Sequence, residues 1–219
     1  MRTYQVDGGC LSLRFAVMGP IENNVYLIGD GAGGTIVVDP TAHAQGIVEL
    51  AGAAEVSAIF VTHRHCDHIG ALADLKRLTG APVFASEIDA KRIEAGQRDE
   101  GLRLDVPPCA VDRKLRDGDE FTVGASSWRV LLTPGHTPGG LCYFCQKGDR
   151  SGAPLLVSGD TLFRASIGRT DFEGGSMADM RKSLRKLGTL PDSTIVLPGH
   201  NQLTSIGDER VRVIEAPQR

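Results

Sequence analysis

The chain has 219 residues, 41% of them hydrophobic and 23% charged, and a net charge of −3 at pH 7. That length suits one domain with a core of ordinary size. The mildly acidic balance excludes the basic footprint of a nucleic-acid or anionic-membrane binder, and no apolar run approaches the roughly 18 residues that a membrane helix needs.

In chain order, the first apolar stretch, "CLSLRFAVMG", is interrupted by Arg14 and alternates through Leu11, Leu13, Phe15 and Val17. Alternation marks a strand rather than the unbroken apolar core of a secretory signal. With no export pattern, the five scattered cysteines are expected as reduced thiols in a cytoplasm. "NNVYLIGD" and "GGTIVVDP" flank the Gly-rich "GDGAGG" and predict a hairpin. "AQGIVELAGAAE" (44–55) reads as a short helix, and "AIFV" (58–61) as a strand covered on both faces. Ile69, Leu72, Leu75 and Leu78 then recur at helical spacing. "PVFA" (82–85) reads as a strand, and "SEID" (86–89) as a capping box opening a charged helix to about residue 96. The polar stretch 97–120, with Pro107 and Pro108, reads as a surface excursion. "WRVLL" (128–132), "LCYFC" (141–145) and "PLLVS" (154–158) are strands, followed by a helix from Ser176 with Asp179 completing a second capping box, and by the strand "TIVLP" (194–198). Strands interleaved with helices in both halves predict a single α/β domain whose helices cover its sheets.

Three of the six histidines stand in "VTHRHCDHIG" (61–70), together with Asp67. His136 in "LLTPGHTPGG", Asp160 in "LLVSGDTLF" and His200 in "IVLPGHN" each follow an apolar strand run at a Gly break, and only His43 stands outside the set. Strand ends on one edge of a sheet can converge, and α/β folds build their sites there. His63 and His65 are two apart, so in an extended segment both imidazoles project to one side and can reach one metal ion, with His136 as a third nitrogen ligand. Asp67 and His68, at the turn into the helix, aim elsewhere and can hold a second ion with His200, while the two oxygens of Asp160 can bridge. Seven candidates are too many for one closed structural zinc site, and imidazoles with carboxylates suit zinc, iron or manganese.

"THRHCDH" resembles the H-x-H-x-D-H signature of the metallo-β-lactamase superfamily, and "TPGHTPGG", "SGDTLF" and "LPGH" follow in the order that superfamily has. The resemblance runs from "NNVYLI" to "LPGHN", nearly the whole chain. It implies a four-layer αβ/βα sandwich with two divalent metal ions at one edge, most simply zinc. On the matching positions His63, His65 and His136 are the ligands of one ion, Asp67, His68 and His200 those of the other, and Asp160 the bridge. Asp39 in "VVDP" matches a family aspartate that supports the ligands, and otherwise reads as a turn residue before Pro40.

"SGDTLFRASIGRTDFEGG" resembles the type II glyoxalases, the hydroxyacylglutathione hydrolases, and above all their short bacterial forms. This implies hydrolysis of S-(2-hydroxyacyl)glutathione-like thioesters, with metal-bound hydroxide adding to the carbonyl and Asp67 orienting it. Arg169 aligns with a basic family residue near the glutathione moiety, and Arg164 is a second candidate for substrate binding. The helical C-terminal domain of the longer glyoxalases has no counterpart in the sequence. "GDTL" and "GRTDF" are equally similar to persulfide dioxygenases, which use a single iron, so that activity is the alternative. A broad lactone or ester hydrolase and a non-catalytic metal-binding module are the others. A small-molecule thioester is the expected partner; nothing indicates nucleic acid, membrane or an oligomeric state. Cys142 and Cys145 form a C-x-x-C, but within a strand their side chains point to opposite faces, and Tyr143 between them is expected in the core.

Overall fold

The computed structural model of the protein describes residues 2–6, 11–147 and 153–216. The first half comprises β1 (Arg2–Val6), β2 (Leu13–Met18), β3 (Asn23–Gly29), β4 (Thr35–Val38), α1 (Ala44–Ala51), β5 (Val56–Phe60), α2 (Cys66–Ile69), α3 (Leu72–Thr79), β6 (Val83–Ser86), α4 (Glu87–Ala95), β7 (Gln97–Asp99), β8 (Leu104–Val106) and β9 (Arg113–Leu115). The second comprises β10 (Glu120–Val123), β11 (Ser126–Leu132), β12 (Leu141–Cys145), β13 (Leu155–Gly159), α5 (Met177–Leu187), β14 (Ile195–Pro198), β15 (Thr204–Ser205) and α6 (Ile206–Glu209).

Two sheets form, in the orders β1-β2-β3-β4-β5-β6-β9 and β10-β11-β12-β13-β14-β15, and β7 pairs with β8 in a separate hairpin. In the first sheet β1 to β4 are antiparallel and β4-β5-β6-β9 parallel, whereas in the second only β13 and β14 run parallel. Side chains alternate along each strand, and the alternation sorts the apolar residues into three cores. Leu27, Val37 and Ile59 face outward and pack against Ile47, Leu72, Leu75 and Ile93 of the helices. Their neighbours Tyr26, Ile28, Ile36, Val38 and Phe60 face inward and meet Trp128, Val130, Tyr143 and Val157 of the second sheet. On that sheet's outer face Leu131, Cys142, Phe144 and Leu156 pack against Met180, Leu184 and Leu187 of α5. The expected αβ/βα sandwich is the result. Phe60 stacks on Tyr143 with ring centroids 4.6 Å apart, and the Tyr143 hydroxyl donates to the Val61 carbonyl at 2.8 Å. The two sheets are thus joined directly below the end of β5.

Two departures from the sequence reading stand out in the fold. The stretch 97–120 carries the β7–β8 hairpin and the edge strand β9, whose Val106 and Leu115 are buried. Strands of three residues are too short to display an alternation. The helix expected through Ile69, Leu72, Leu75 and Leu78 is broken between α2 and α3, and Leu78 is 43% exposed. The break lies where Gly70 passes the Thr41 carbonyl; a Cβ there would sit 2.3 Å from that oxygen, and the Ala71 amide donates to Pro40 instead. Cys142 and Cys145 fall in the outer and inner cores respectively, on opposite faces of β12. Cys10 lies outside the described residues.

Candidate metal centre

Four strand ends deliver the expected donors. β5 runs out through Val61 and Thr62 to His63 and His65, and the short α2 turns Asp67 and His68 in behind them. His136, Asp160 and His200 follow β11, β13 and β14 of the other sheet. Asn23, at the start of β3, forms an isolated bridge with His200. The donors therefore meet at the rim shared by both sheets, and sites in α/β folds commonly sit at such rims.

Three groups of donor atoms each lie within 4.8 Å of one another: His63, His65 and His136; His63, His68 and Asp160; and Asp67, His68 and His200. Asp160 touches both halves, since its Oδ1 is 3.4 Å from His68 Nε2 and its Oδ2 is 3.5 Å from His136 Nε2 and 3.6 Å from His200 Nε2. The rings are oriented from behind. His136 Nδ1 faces the Arg169 carbonyl at 2.7 Å, and His200 Nδ1 faces the Ile21 carbonyl at 3.2 Å. A carbonyl only accepts, so each Nδ1 carries the proton and each Nε2 turns a lone pair to the centre. His68 Nδ1 donates to Asp39 Oδ2 at 2.9 Å. Thr62 Oγ1 donates to the same oxygen at 2.7 Å and so accepts from His63 Nδ1 at 3.0 Å. His63 Nε2, His68 Nε2 and Asp160 Oδ1 are left buried without a hydrogen-bond partner. Buried polar atoms are rarely orphaned, and here all three face one space. The donor set fits a pair of divalent cations.

The electrostatics agree. Burial and the neighbouring histidines keep His63 neutral, and burial with His136 lowers His65 to about 3. His136 is also lowered, chiefly by burial. All three are held in the ligand form. His68 is the opposite case: burial works against its charge, but Asp67, Asp160 and Asp39 hold its pKa well above the ordinary value. Burial would raise Asp67, yet the charge of His68 beside it, with His200 close by, keeps it well below the usual carboxylate range. The carboxylates thus gather positive charge around them.

Asp39 sits behind this shell. Its φ of 48° turns the carboxylate under the site, where it receives Thr62 N, Thr62 Oγ1 and His68 Nδ1. Arg169 lies at the mouth, with its guanidinium on Asp171 and 4.3 Å over the Phe172 ring. Arg164 donates to the Gln202 side chain. His43, exposed at the start of α1, stays outside the set, and Tyr143 is buried in the inner core. Three further residues escaped the sequence reading. Asn23 donates to Asp67 Oδ2 at 2.7 Å. Phe172, 41% exposed, sets its ring 5.4 Å from that of His65 and 5.7 Å from that of His136. Asp89, fully buried, accepts from Arg64 and Thr137. Asn23 and Phe172 lie inside quoted segments but are not ligand types, and Asp89 looked like a helix cap.

The sequence model of the metallo-beta-lactamase superfamily matches residues 18–200. An uncharacterized protein of Aquifex aeolicus is 36% identical over 88% of this chain and 91% of its own length. A probable metallo-hydrolase of Bacillus subtilis is 32% identical over 88% and 92%. The hydroxyacylglutathione hydrolase of Fuscovulum blasticum is 35% identical over 83% of this chain and 64% of its own. Among solved structures, the B3 metallo-beta-lactamase BLEG-1 superposes with a TM-score of 0.79 at 31% identity, covering 95% of this chain and 96% of its own. TTHA1623 in a di-iron-bound form follows at 0.76 and 33%, covering 90% and 96%. ETHE1 from Myxococcus xanthus stands at 0.74 and 31%, covering 91% and 82%.

Proposed function

Since the chain belongs to the metallo-beta-lactamase superfamily, we propose that it is a metal-dependent hydrolase of thioesters whose substrates are of the S-(2-hydroxyacyl)glutathione class. The observation that carries the substrate class is the 35% identity to a hydroxyacylglutathione hydrolase over 83% of this chain. One divalent cation is assigned to His63, His65 and His136 and a second to Asp67, His68 and His200, with Asp160 between them. Zinc suits this donor set, as do iron and manganese, and the di-iron relative supports iron as a natural occupant. When bound, such cations supply hydroxide near neutral pH and polarise a carbonyl.

The chain's own residues do the rest. Asp67, kept unprotonated, accepts a proton of the attacking water and so orients it toward the carbonyl. The Asn23 amide holds one oxygen of that carboxylate in place. The departing thiol has a pKa of roughly 8.5, so it leaves as the thiolate and no strong general acid is needed. Arg169 receives an anionic group of the thiol part by exchanging Asp171 for a substrate carboxylate, and Arg164 is a second candidate from the next turn of the same loop.

A second reading, oxygen-dependent oxidation of a glutathione persulfide at a single iron, is supported by the "GDTL" and "GRTDF" likeness and by the similarity to ETHE1. Both are tested by one panel. The protein is reconstituted with zinc, iron or manganese and assayed on S-lactoylglutathione, lactones, simple esters, β-lactams and glutathione persulfide. Thioester hydrolysis that dominates the panel and drops about a hundredfold or more in Asp67→Ala is expected. Oxygen uptake on the persulfide with one iron per chain, and no thioester turnover, overturns the proposal.

A further inference from the structure

"SEID" opens α4 as a capping box, and half of that box forms: Ser86 Oγ accepts from the amides of Ile88 and Asp89 at 3.0 and 3.3 Å. The reciprocal half would turn the Asp89 carboxylate back to the Ser86 amide. Instead, both oxygens leave the helix. Oδ2 accepts from the Arg64 backbone amide at 3.1 Å and from Thr137 Oγ1 at 3.0 Å, and Oδ1 accepts from Arg64 Nη1 at 3.3 Å. Arg64 stands between His63 and His65, and Thr137 follows His136. One carboxylate thus joins the two loops that carry the three-histidine group, loops from different sheets.

Asp89 is 0% exposed, and burying a carboxylate is costly unless its partners compensate. Space for it exists because residue 139 is glycine; a Cβ there would lie 2.5 Å from Asp89 Cγ. The same arginine reaches on to the Glu173 carbonyl at 2.9 Å, beside Phe172. Asp39 plays a comparable part beneath His63 and His68, but no bond of Asp39 reaches His65 or His136.

We propose that Asp89 is a positioning residue for the three-histidine half of the site: it sets the separation of the His63–His65 and His136 loops and thereby the affinity of that half for its cation. The proposal rests on the two-cation reading above. It places the effect of Asp89 on one half only, whereas a general structural role would weaken both.

The test uses the full chain as wild type, Asp89→Asn, Asp89→Ala and Thr137→Val. Zinc stoichiometry and affinity are measured by calorimetry and elemental analysis, and the histidine ring signals are recorded by NMR in the metal-free protein. Wild type is expected to bind two ions. Asp89→Asn should lose about tenfold or more in affinity for one of them, a typical loss when a partner behind a ligand is removed, with Asp89→Ala losing more and Thr137→Val less. In the metal-free variants the signals of His65 and His136 should shift while those of His68 and His200 hold. Equal weakening of both ions, wild-type affinity for both, or ring signals that move together overturn the proposal. A wild type that binds a single ion counts against the two-cation reading instead, and the ring signals then still decide for or against Asp89. Should Asp89→Ala not fold, Asp89→Asn and Thr137→Val carry the same comparison.

Discussion

At the scale of the residue, what distinguishes this centre is the division between side chains that face the space and those that aim them. The imidazoles carry their protons on the side turned to carbonyl, hydroxyl or carboxylate oxygens, at Arg169, Ile21, Thr62 and Asp39. For His63, His136 and His200 the other nitrogen is thereby turned to the centre as a lone-pair donor before any cation arrives. His68, held protonated by Asp67, Asp160 and Asp39, must first give up its Nε2 proton. Phe172 is a different kind of residue, an exposed ring set edge-on to His65 and His136 and covered by the Arg169 guanidinium. It offers an apolar surface beside these two histidines. Phe172→Ala is expected to raise KM for S-lactoylglutathione about fivefold to tenfold, from the ~1 kcal/mol of apolar contact removed, and to leave kcat within about twofold. Steady-state kinetics at matched metal content check this, and an unchanged KM contradicts it. The histidines of the site were legible in the sequence because they are few: three crowd into six positions after the apolar run 58–61, and His136 and His200 each follow an apolar run at a glycine. Phe172 and Asn23 were not, because an aromatic or an amide is common in any fold and acquires a role only from its neighbours.

At the scale of the element, the site depends on where strands stop. The Pro-Gly that ends β14 brings the backbone against Asp160 and His68: a Cβ on Gly199 would sit 2.3 Å from Asp160 Oδ1 and 2.6 Å from His68 Cε1. Gly199→Ala must therefore push apart the Asp160 carboxylate and the His68 imidazole. Overpacking of this kind costs ~1–3 kcal/mol, and here the strain falls on the donors. Expected are a melting temperature lowered by a few degrees, about 2–4 °C per kcal/mol, and loss of at least one bound metal ion, read by calorimetric melting and elemental analysis. A variant that keeps both ions at wild-type affinity contradicts the close approach. The same scale explains what the sequence reading misjudged. Local periodicity predicted one helix through Leu78, and local cap chemistry predicted a closed box at Ser86–Asp89. In each case a partner distant in sequence, Pro40 in one and Thr137 in the other, redirected the backbone or the side chain.

At the scale of the whole molecule, the buried titratable groups make stability depend on pH in two opposed ways. His65 is lowered to about 3 against an ordinary 6.5, so between those values the unfolded chain binds a proton that the folded one refuses, and stability rises with pH across that window. His68 is raised well above 6.5 despite burial, because Asp67, Asp160 and Asp39 surround it. Its contribution is complete below 6.5 and is lost as pH rises through its folded value. The metal-free protein should therefore be most stable near pH 6.5. Urea unfolding at roughly pH 4.5, 6.5 and 8.5 checks this, and a stability that climbs steadily to the highest pH contradicts it. Bound cations should reverse the alkaline limb, since they replace the proton on His68 and bind only the folded state.

The sequence by itself determined the residue chemistry and the layering. Side chains alternate along a strand, so runs apolar at consecutive positions such as Leu27 and Ile28 or Leu156 and Val157 need cover on both faces, and each pair falls into two different cores. Rare ligand types at four strand ends were likewise visible, because a histidine or aspartate just after an apolar run stands out without knowledge of its partners. Only the tertiary structure decided which atoms meet. The centre draws His63 and His65 from one sheet and His136, Asp160 and His200 from the other. Hydrogen bonds and close approaches act across a few ångströms of space, between residues such as His65 and His136 that stand 71 positions apart in the chain, and sequence order does not record those distances.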